Sequence, residues 1–250
     1  MGFIYPRHEK AIEEIGGEIV LTCDIDPSKE ADYTDFDEML KDPRMNVVDY
    51  VCILTPNYLH AEMIRKCKKK VICEKPLTIN TDYEGLAHAN VVLQLRYNPL
   101  VKSLGRVSGE IDITVKTYRE QKYWDSWKGD PERSGGILYN MGIHYIDLLI
   151  HLLGDPVQIL EATHDKYLAK GRVEFERGFG SYHIELLKEP AEVIRKIKVN
   201  GKEVDLEGAT IPLSDQGVMN LHTEVYKNLG HLKLKDTLKA LNLVHELKNL

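Results

Sequence analysis

The run Val47-Val48-Asp49-Tyr50-Val51-Cys52-Ile53-Leu54, followed at once by Thr55-Pro56-Asn57, decides the fold class. Its apolar residues scarcely alternate with polar ones, so it reads as a strand covered on both faces, as in a parallel sheet. Pro56 stops the strand, and Asn57 can cap a helix read over 57–66. The unit recurs. Residues 70–73 form a second strand, ended by Glu74-Lys75-Pro76, and 90–95 a third, with a helix expected over 81–88 between them. Upstream, a helix over 6–15, a strand over 18–23 ending at Asp24 and a short helix over 36–40 continue the alternation. Strand and helix taking turns is the mark of an α/β domain with a parallel sheet.

Beyond Arg96 the pattern changes. Strands are expected over 110–118, 157–163, 171–177, 180–187, 193–199 and 203–206, several joined by turns such as Asn200-Gly201. A strongly apolar helix over 135–153 is closed by Gly154-Asp155-Pro156. A final helix near 217–247 places Leu221, Val225, Leu229, Leu238, Leu241, Val244 and Leu247 on an apolar stripe. The expected architecture is α/β plus α+β. A Rossmann-type dinucleotide-binding domain (1–95) precedes a substrate and oligomerisation domain (96–250) with an open, mainly antiparallel sheet. The last helix is expected to pack back on the first domain.

Composition narrows the function classes. The chain has 250 residues, 43% hydrophobic and 29% charged, with net charge −6. That suits an ordinary globular protein with its own core and speaks against nucleic-acid binding, which needs a basic face. The longest unbroken apolar runs fall far short of the ~20 residues that span a bilayer. The first residues carry Pro6 and Arg7 and run into a helix, so no signal peptide is expected. Cys23, Cys52, Cys67 and Cys73 match no zinc spacing and are read as buried or free thiols, with no metal expected. A cytoplasmic location follows from these readings.

A nucleotide-binding α/β domain opens with a strand and a Gly-rich turn, yet Met1-Gly2-Phe3 already borders the first helix. Around 84–91 and 100–105 the elements run together with almost no connection, where ~2–6 residues are usual. We therefore expect these residues to be the ordered part of a longer chain. An intact mass near 28.6 kDa would refute that.

Four stretches carry chemistry. Asp24, at a strand end, can accept hydrogen bonds from adenosine ribose hydroxyls and repel a 2′-phosphate, favouring NAD over NADP. It can equally be a turn residue of Asp24-Ile25-Asp26-Pro27, with Asp26 as competitor for the ribose. Thr55-Pro56-Asn57 and Glu74-Lys75-Pro76 both lie where the carboxyl ends of parallel strands line a ligand crevice, although each is also a plain strand–turn–helix junction or surface lysine pattern. Lys75 there would have its pKa lowered by burial and by a nearby nicotinium charge, which suits a general base or a group that holds a hydroxyl. In Gly135-Gly136-Ile137-Leu138-Tyr139-Asn140-Met141-Gly142-Ile143-His144-Tyr145-Ile146-Asp147 the polar residues Asn140, His144 and Asp147 share one face of an otherwise buried helix. Such a stripe needs either a buried network or a ligand. Tyr123-Trp124-Asp125-Ser126-Trp127-Lys128 offers aromatic faces for a sugar or base, with Arg119, Lys122, Lys128 and Arg133 near for an anion. The same loop can simply be anchored by two packed indoles.

Together these pieces resemble the Gfo/Idh/MocA family of oxidoreductases. The marks are Thr55-Pro56-Asn57 with His60, then Glu74-Lys75-Pro76, then Gly135-Gly136 followed by Gly142-Ile143-His144-Tyr145-Ile146-Asp147, in the family's order. Gly2-Phe3-Ile4-Tyr5-Pro6-Arg7-His8 resembles the tail of the family's Gly-rich turn. Within the family, Pro6-Arg7-His8, Val92-Leu93-Gln94-Leu95-Arg96 and Ser126-Trp127-Lys128-Gly129-Asp130 most resemble the UDP-N-acetyl-2-amino-2-deoxyglucuronate 3-dehydrogenases.

The resemblance implies hydride transfer from a sugar carbinol to NAD, with Lys75 and His144 catalytic. It places Gly2, Phe3, Ile4, Asp24, Thr55, Pro56, Asn57, His60, Glu74, Lys75, Gln94 and Arg96 at the cofactor. It places Lys75, Arg96, Trp124, Trp127, Lys128, Asn140 and His144 at the substrate. Many members carry Asp where Asn140 stands; Asn cannot be a base, so proton abstraction falls to His144 or Lys75. The expected assignment is His144 as acceptor with Lys75 orienting the hydroxyl, the reverse remaining open. The implied reaction is oxidation of the 3-hydroxyl of a UDP-linked N-acetylglucosaminuronic acid, in surface polysaccharide synthesis, by a homodimer or homotetramer. Another sugar or inositol-type dehydrogenase, or a catalytically silent NAD-binding regulator, are the rivals.

Overall fold

Residues 47–54 form only a short strand because Asp42 caps a 3-10 turn over Pro43–Val47, and the ladder begins at Tyr50. The structure, a computed structural model, describes residues 1–204 and 220–250. Strands β1 (Tyr50–Ile53), β2 (Lys70–Glu74) and β3 (Ala89–Val92) form a parallel sheet in that order. Val51, Ile53, Val71, Ile72, Cys73, Val91 and Val92 are all buried, which is why these runs lack alternation. Helices α1 (Tyr5–Glu14), α2 (Phe36–Met39) and α3 (His60–Lys66) belong to the same domain.

Two expected elements do not form. Residues 18–23 make no strand; only Cys23 bridges, to Tyr33. Among the described residues no strand pairs with it to share a ladder. Residues 81–88 make no helix. Asn80 and Asp82 side chains capture the amides of Asp82 and Glu84, and Gly85 sits at φ +75°. Local side-chain bonds of this kind compete with helix. The expected strand over 90–95 ends at Val92, and a 3-10 turn over Gln94–Tyr97 follows.

The second domain begins with α4 (Pro99–Leu104) and β4 (Gly109–Tyr118). Short helices α5 (Gln121–Trp124) and α6 (Pro131–Ser134) lead into the long buried helix. That helix starts after Gly135, makes a π turn over Leu138–Gly142 and continues as α7 (Ile143–Leu153). Gly135 and Gly136 have φ of +82° and +77°, so the expected start at 135 falls on irregular backbone just ahead of the helix. Strands β5 (Pro156–His164), β6 (Leu168–Phe175), β7 (Gly178–Leu187), β8 (Ile194–Val199) and β9 (Lys202–Val204) complete a six-stranded sheet of order β5-β6-β7-β4-β8-β9. Among the described residues only the β4–β7 pair of this sheet is parallel. Of the expected strand over 203–206, residues 205 and 206 lie outside the described residues.

Helix α7 lies across the inner face of this sheet. Alternate residues of β4 (Ile111, Ile113, Val115) and β7 (Tyr182, Ile184, Leu186) point at it and are buried. The approach is close at Gly180, where a Cβ would lie 2.8 Å from Phe175 and 2.9 Å from Leu149. The helical stretch Pro131–Leu153 is apolar and long enough to cross a membrane, but 72% of its apolar window is buried inside the protein.

The single helix expected over 217–247 is two, apart from 217–219, which lie outside the described residues. Helix α8 (Leu221–Lys227) and α9 (Leu234–Lys248) are separated by a turn at Gly230, φ +96°. Helix α8 packs on α1, with His8 Nδ1 2.9 Å from the Tyr226 hydroxyl and Asn220 donating to Arg7 O at 3.0 Å. Helix α9 packs on α7 and touches β3, and Val91 N donates to Leu232 O at 2.7 Å. All four cysteines are free, and burial pushes the Cys67 thiol up to about 11.

Candidate active site

The carboxyl ends of β1, β2 and β3 face the same crevice, and the long helix of the second domain closes its far side. Strand β2 delivers Glu74 and Lys75 to that edge; the Lys75-Pro76 bond is cis. Glu74 Oε1 lies 3.0 Å from His8 Nε2 on α1 and 3.4 Å from His222 Nε2 on α8. Its other oxygen accepts the Lys75 amide at 3.2 Å. The donor atoms of His8, Glu74 and His222 all lie within 4.8 Å of one another. Burial alone would raise the Glu74 pKa, but His222 and His8 outweigh it and hold the carboxyl well below its usual range. The group is a clamp that keeps an ionised carboxylate next to Lys75.

Lys75 Nζ donates to the backbone carbonyl of Asn140, in the π turn. Single π turns inside helices recur at functional sites because they re-aim carbonyls and side chains. Protein surrounds the ammonium, and burial pushes its pKa down to about 8; Glu74 opposes this, while Lys128 and Arg119 push the same way. Asn140 Nδ2 donates to the Tyr123 hydroxyl at 2.9 Å. His144, one turn further on, has its pKa lowered to about 3, by burial first and then by Lys75. It is therefore neutral near pH 7, and its Nδ1 is buried with no hydrogen-bond partner. Asp147 completes the face, accepting from Arg96 Nε at 2.8 Å and Nη2 at 2.5 Å. Arg96 also donates to Asp236 O at 3.1 Å, so most of its fork is already engaged.

The remaining expected residues fall around this centre or away from it. His60 braces two loops: Nδ1 is 2.7 Å from Pro76 O and Nε2 is 2.8 Å from Thr55 O. Asn57 Nδ2 donates to Ser134 O at 2.8 Å, tying the first domain to the segment that carries the two tryptophans. Pro56 precedes the 3-10 turn over Asn57–Leu59, and the Thr55 hydroxyl lies 3.3 Å from Met63 sulfur. Gln94 Oε1 is buried without a partner. Asp24 Oδ1 accepts the Asp26 amide at 3.0 Å, and its other oxygen meets the Met1 amino group. Gly2 has open space beside it, Ile4 precedes α1, and Phe3 is exposed with Lys128 Nζ 5.9 Å above its ring. Lys128 also lies 5.7 Å from the Trp127 ring centre. The Trp124 indole N–H donates to Arg119 O at 3.0 Å.

Sequence reasoning missed the parts assembled from distant segments. His222 and Tyr226 carried no local signal, and His8 entered only through the turn it follows. Arg119 was one basic residue among several near the tryptophans; its buried, unpartnered Nε marks it out here.

Two family profiles match the chain. Residues 4–93 match the NAD-binding Rossmann fold of the oxidoreductase family GFO_IDH_MocA, and residues 102–237 match its C-terminal alpha/beta domain. The chain belongs to the Gfo/Idh/MocA family. Among solved structures, it resembles the WlbA (WbpB) dehydrogenase from Thermus thermophilus. One structure of that protein, in complex with NAD and α-ketoglutarate, aligns with TM-score 0.82 and 28% identity, over 100% of this chain and 92% of that one. Another, with NAD and UDP-GlcNAcA, aligns with TM-score 0.81 and 29% identity over the same shares. A curated relative, 2,7-anhydro-N-acetylneuraminate hydratase of Escherichia coli, is 32% identical over 134 residues, covering 44% of this chain and 34% of its own length. The match spans between 34% and 40% of the length of the first curated relatives.

Proposed function

We propose that this family member is an NAD-dependent dehydrogenase that oxidises a carbinol of a nucleotide-linked uronic acid. The favoured reaction is conversion of the 3-hydroxyl of a UDP-linked N-acetylglucosaminuronic acid to a ketone, in surface polysaccharide synthesis. The observation that carries the reading is the pairing of Lys75, tuned to about 8, with a neutral His144 whose Nδ1 lacks a partner.

The residues at the crevice fit a dinucleotide. Gln94 Oε1 is an orphaned buried acceptor suited to a carboxamide N–H, and Asp24 lies at the edge where a ribose would be held. Thr55, Pro56, Asn57, His60 and Glu74 shape the wall between them, and Gly2, Phe3 and Ile4 the turn before α1. NAD⁺, when bound, supplies the hydride acceptor. Arg96 acts at one remove, by fixing Asp147 and hence the register of α7.

The proton is handled by the protein. A base with a conjugate-acid pKa near 3 holds a proton poorly at pH 7, whereas one near 8 holds it well and is still partly neutral. We therefore assign proton abstraction to Lys75, and to His144 the hydrogen bond that orients the hydroxyl, the reverse of the assignment expected from sequence. Arg119 faces Lys75 closely enough to lower its pKa, and among the described residues it is in no ion pair. A uronate carboxylate would meet that need, which favours an acidic sugar over a neutral sugar or an inositol.

The test is formation of reduced nicotinamide with NAD⁺ and the UDP-linked uronic acid, set against free sugars and inositol, with Lys75→Ala in parallel. Reduction with the UDP-sugar alone, lost in the variant, supports the reading. Reduction with inositol or a neutral sugar alone would replace the substrate. Hydration without reduction, the chemistry named for the hydratase relative, would overturn the reaction class.

A further inference from the structure

A cleft of about 260 Å³ opens between the segment that carries the two tryptophans, the turn joining β5 to β6, and the end of α9. It shares a wall with the reaction centre, because Tyr123 lines it and accepts from Asn140, whose carbonyl holds Lys75. Three lysines from three separate elements meet there: Lys128, Lys166 and Lys248. None is in an ion pair among the described residues. Each ammonium instead lies over an aromatic ring, Lys166 at 5.4 Å from Trp124 and Lys248 at 5.6 Å from Tyr139. The one carboxylate in the cleft, Asp165, uses an oxygen on the turn itself, accepting from Tyr167 N at 2.6 Å and Leu168 N at 2.7 Å.

The cleft thus has a surplus of positive charge and an aromatic wall. Trp124 is held edge-on between Tyr123 and Tyr167, with ring centres 5.2 and 5.1 Å away, and its N–H is already bonded to Arg119 O. Its orientation is therefore set before any ligand arrives. Gly135 and Gly136 add backbone to the lining, and Gly136 has nothing within 4 Å of where a Cβ would stand. A flat ring can lie against such an indole, and an anion can approach such a backbone closely.

We propose that this cleft holds the nucleoside diphosphate of the substrate, the pyrophosphate among Lys128, Lys166 and Lys248 and the base against Trp124. The proposal rests on the dehydrogenase reading above and extends it by assigning Lys166 and Lys248. A doubly esterified pyrophosphate carries two negative charges, which three ammoniums and one carboxylate balance. A free sugar acid has no use for the cleft, since its single carboxylate is met beside Lys75.

Calorimetric titration of UDP into the NAD⁺-saturated protein tests it, with Lys166→Ala, Lys248→Ala and Trp124→Leu alongside. UDP is expected to bind, each lysine variant to weaken it about tenfold, and the lysine double variant to keep the wild-type melting temperature. The KM for the UDP-sugar should rise with the UDP dissociation constant. UDP binding unchanged in all three variants would overturn the cleft while leaving the substrate reading intact. No UDP binding to the wild type, with Lys75-dependent NAD⁺ reduction on a free sugar, would overturn the cleft and the nucleotide-sugar class together. UDP binding that the variants weaken, without reduction on any sugar, would support the cleft and refute the dehydrogenase.

Discussion

His60 is fully buried and His144 half-buried with its Nδ1 shut away from solvent; both sit in the first turn of a helix, and both have pKa values lowered mainly by loss of contact with water. Their surroundings differ. Both ring nitrogens of His60 face carbonyls, of Thr55 and Pro76, whereas Nδ1 of His144 faces nothing that can bond it. A buried polar atom without a partner costs stability, so a fold tolerates one mainly where something else is meant to fill the gap. The first histidine serves the architecture of the cofactor crevice. In the proposed reaction the second is held ready for a ligand.

This contrast can be broken by experiment. The largest effect is expected at the neighbour of His144: Lys75→Ala should lower kcat by roughly 10³–10⁴-fold with the fold intact by circular dichroism. A loss below tenfold would move proton abstraction elsewhere. Next, His144→Phe should cost about 10²-fold in kcat and leave the melting temperature nearly unchanged, because no hydrogen bond at Nδ1 is lost. A large drop in melting temperature would make His144 structural. His60→Ala should do the opposite, costing about 2–3 kcal/mol in urea unfolding, because a buried ring is removed and the carbonyl that its single N–H serves loses its donor. If it instead stops turnover while stability holds, the two histidines have been assigned the wrong way round.

The smallest and sharpest effect concerns pH. Abstraction needs neutral Lys75, so kcat should rise with pH and level off above about 8. Below that it should fall toward tenfold per pH unit. His144, with its value near 3, should add no break between pH 5 and 8. The same lysine affects stability in the same direction. The folded chain releases its proton near 8 and the unfolded chain near 10.5, so stability should increase as pH rises between them. Lys75→Met should remove that slope. A plateau in kcat that begins near pH 6 would restore the imidazole as the base.

Much of this was legible from local pattern, and the failures share a cause. The strands of the parallel sheet announce themselves because both of their faces are buried, and Lys75, Asn140 and His144 because a few residues of one strand and one helix carry them. Residues 18–23 have strand composition, but a strand exists only where a neighbour accepts its ladder. Residues 81–88 have helical periodicity, but Asn80 and Asp82 take the first amides and Gly85 turns the chain away. Helix periodicity likewise carried across Gly230, where the backbone breaks. The clamp on Glu74 was invisible because His8 and His222 come from opposite ends of the chain. The engagement of Arg96 by Asp147 was equally hidden, since sequence offers the arginine without showing which acid will claim it.

The π turn over Leu138–Gly142 makes the long helix unequal in what it can lose. Deleting one residue there would return the turn to ordinary α geometry and could leave a continuous helix. But it would rotate everything before the deletion by about 100° relative to everything after it, parting the Asn140 carbonyl from the side on which His144 stands. The same deletion near the end of α7 would disturb only packing against the sheet. Among descendants of this sequence, length should therefore vary at the far end of that helix and stay fixed across those five residues wherever turnover is selected.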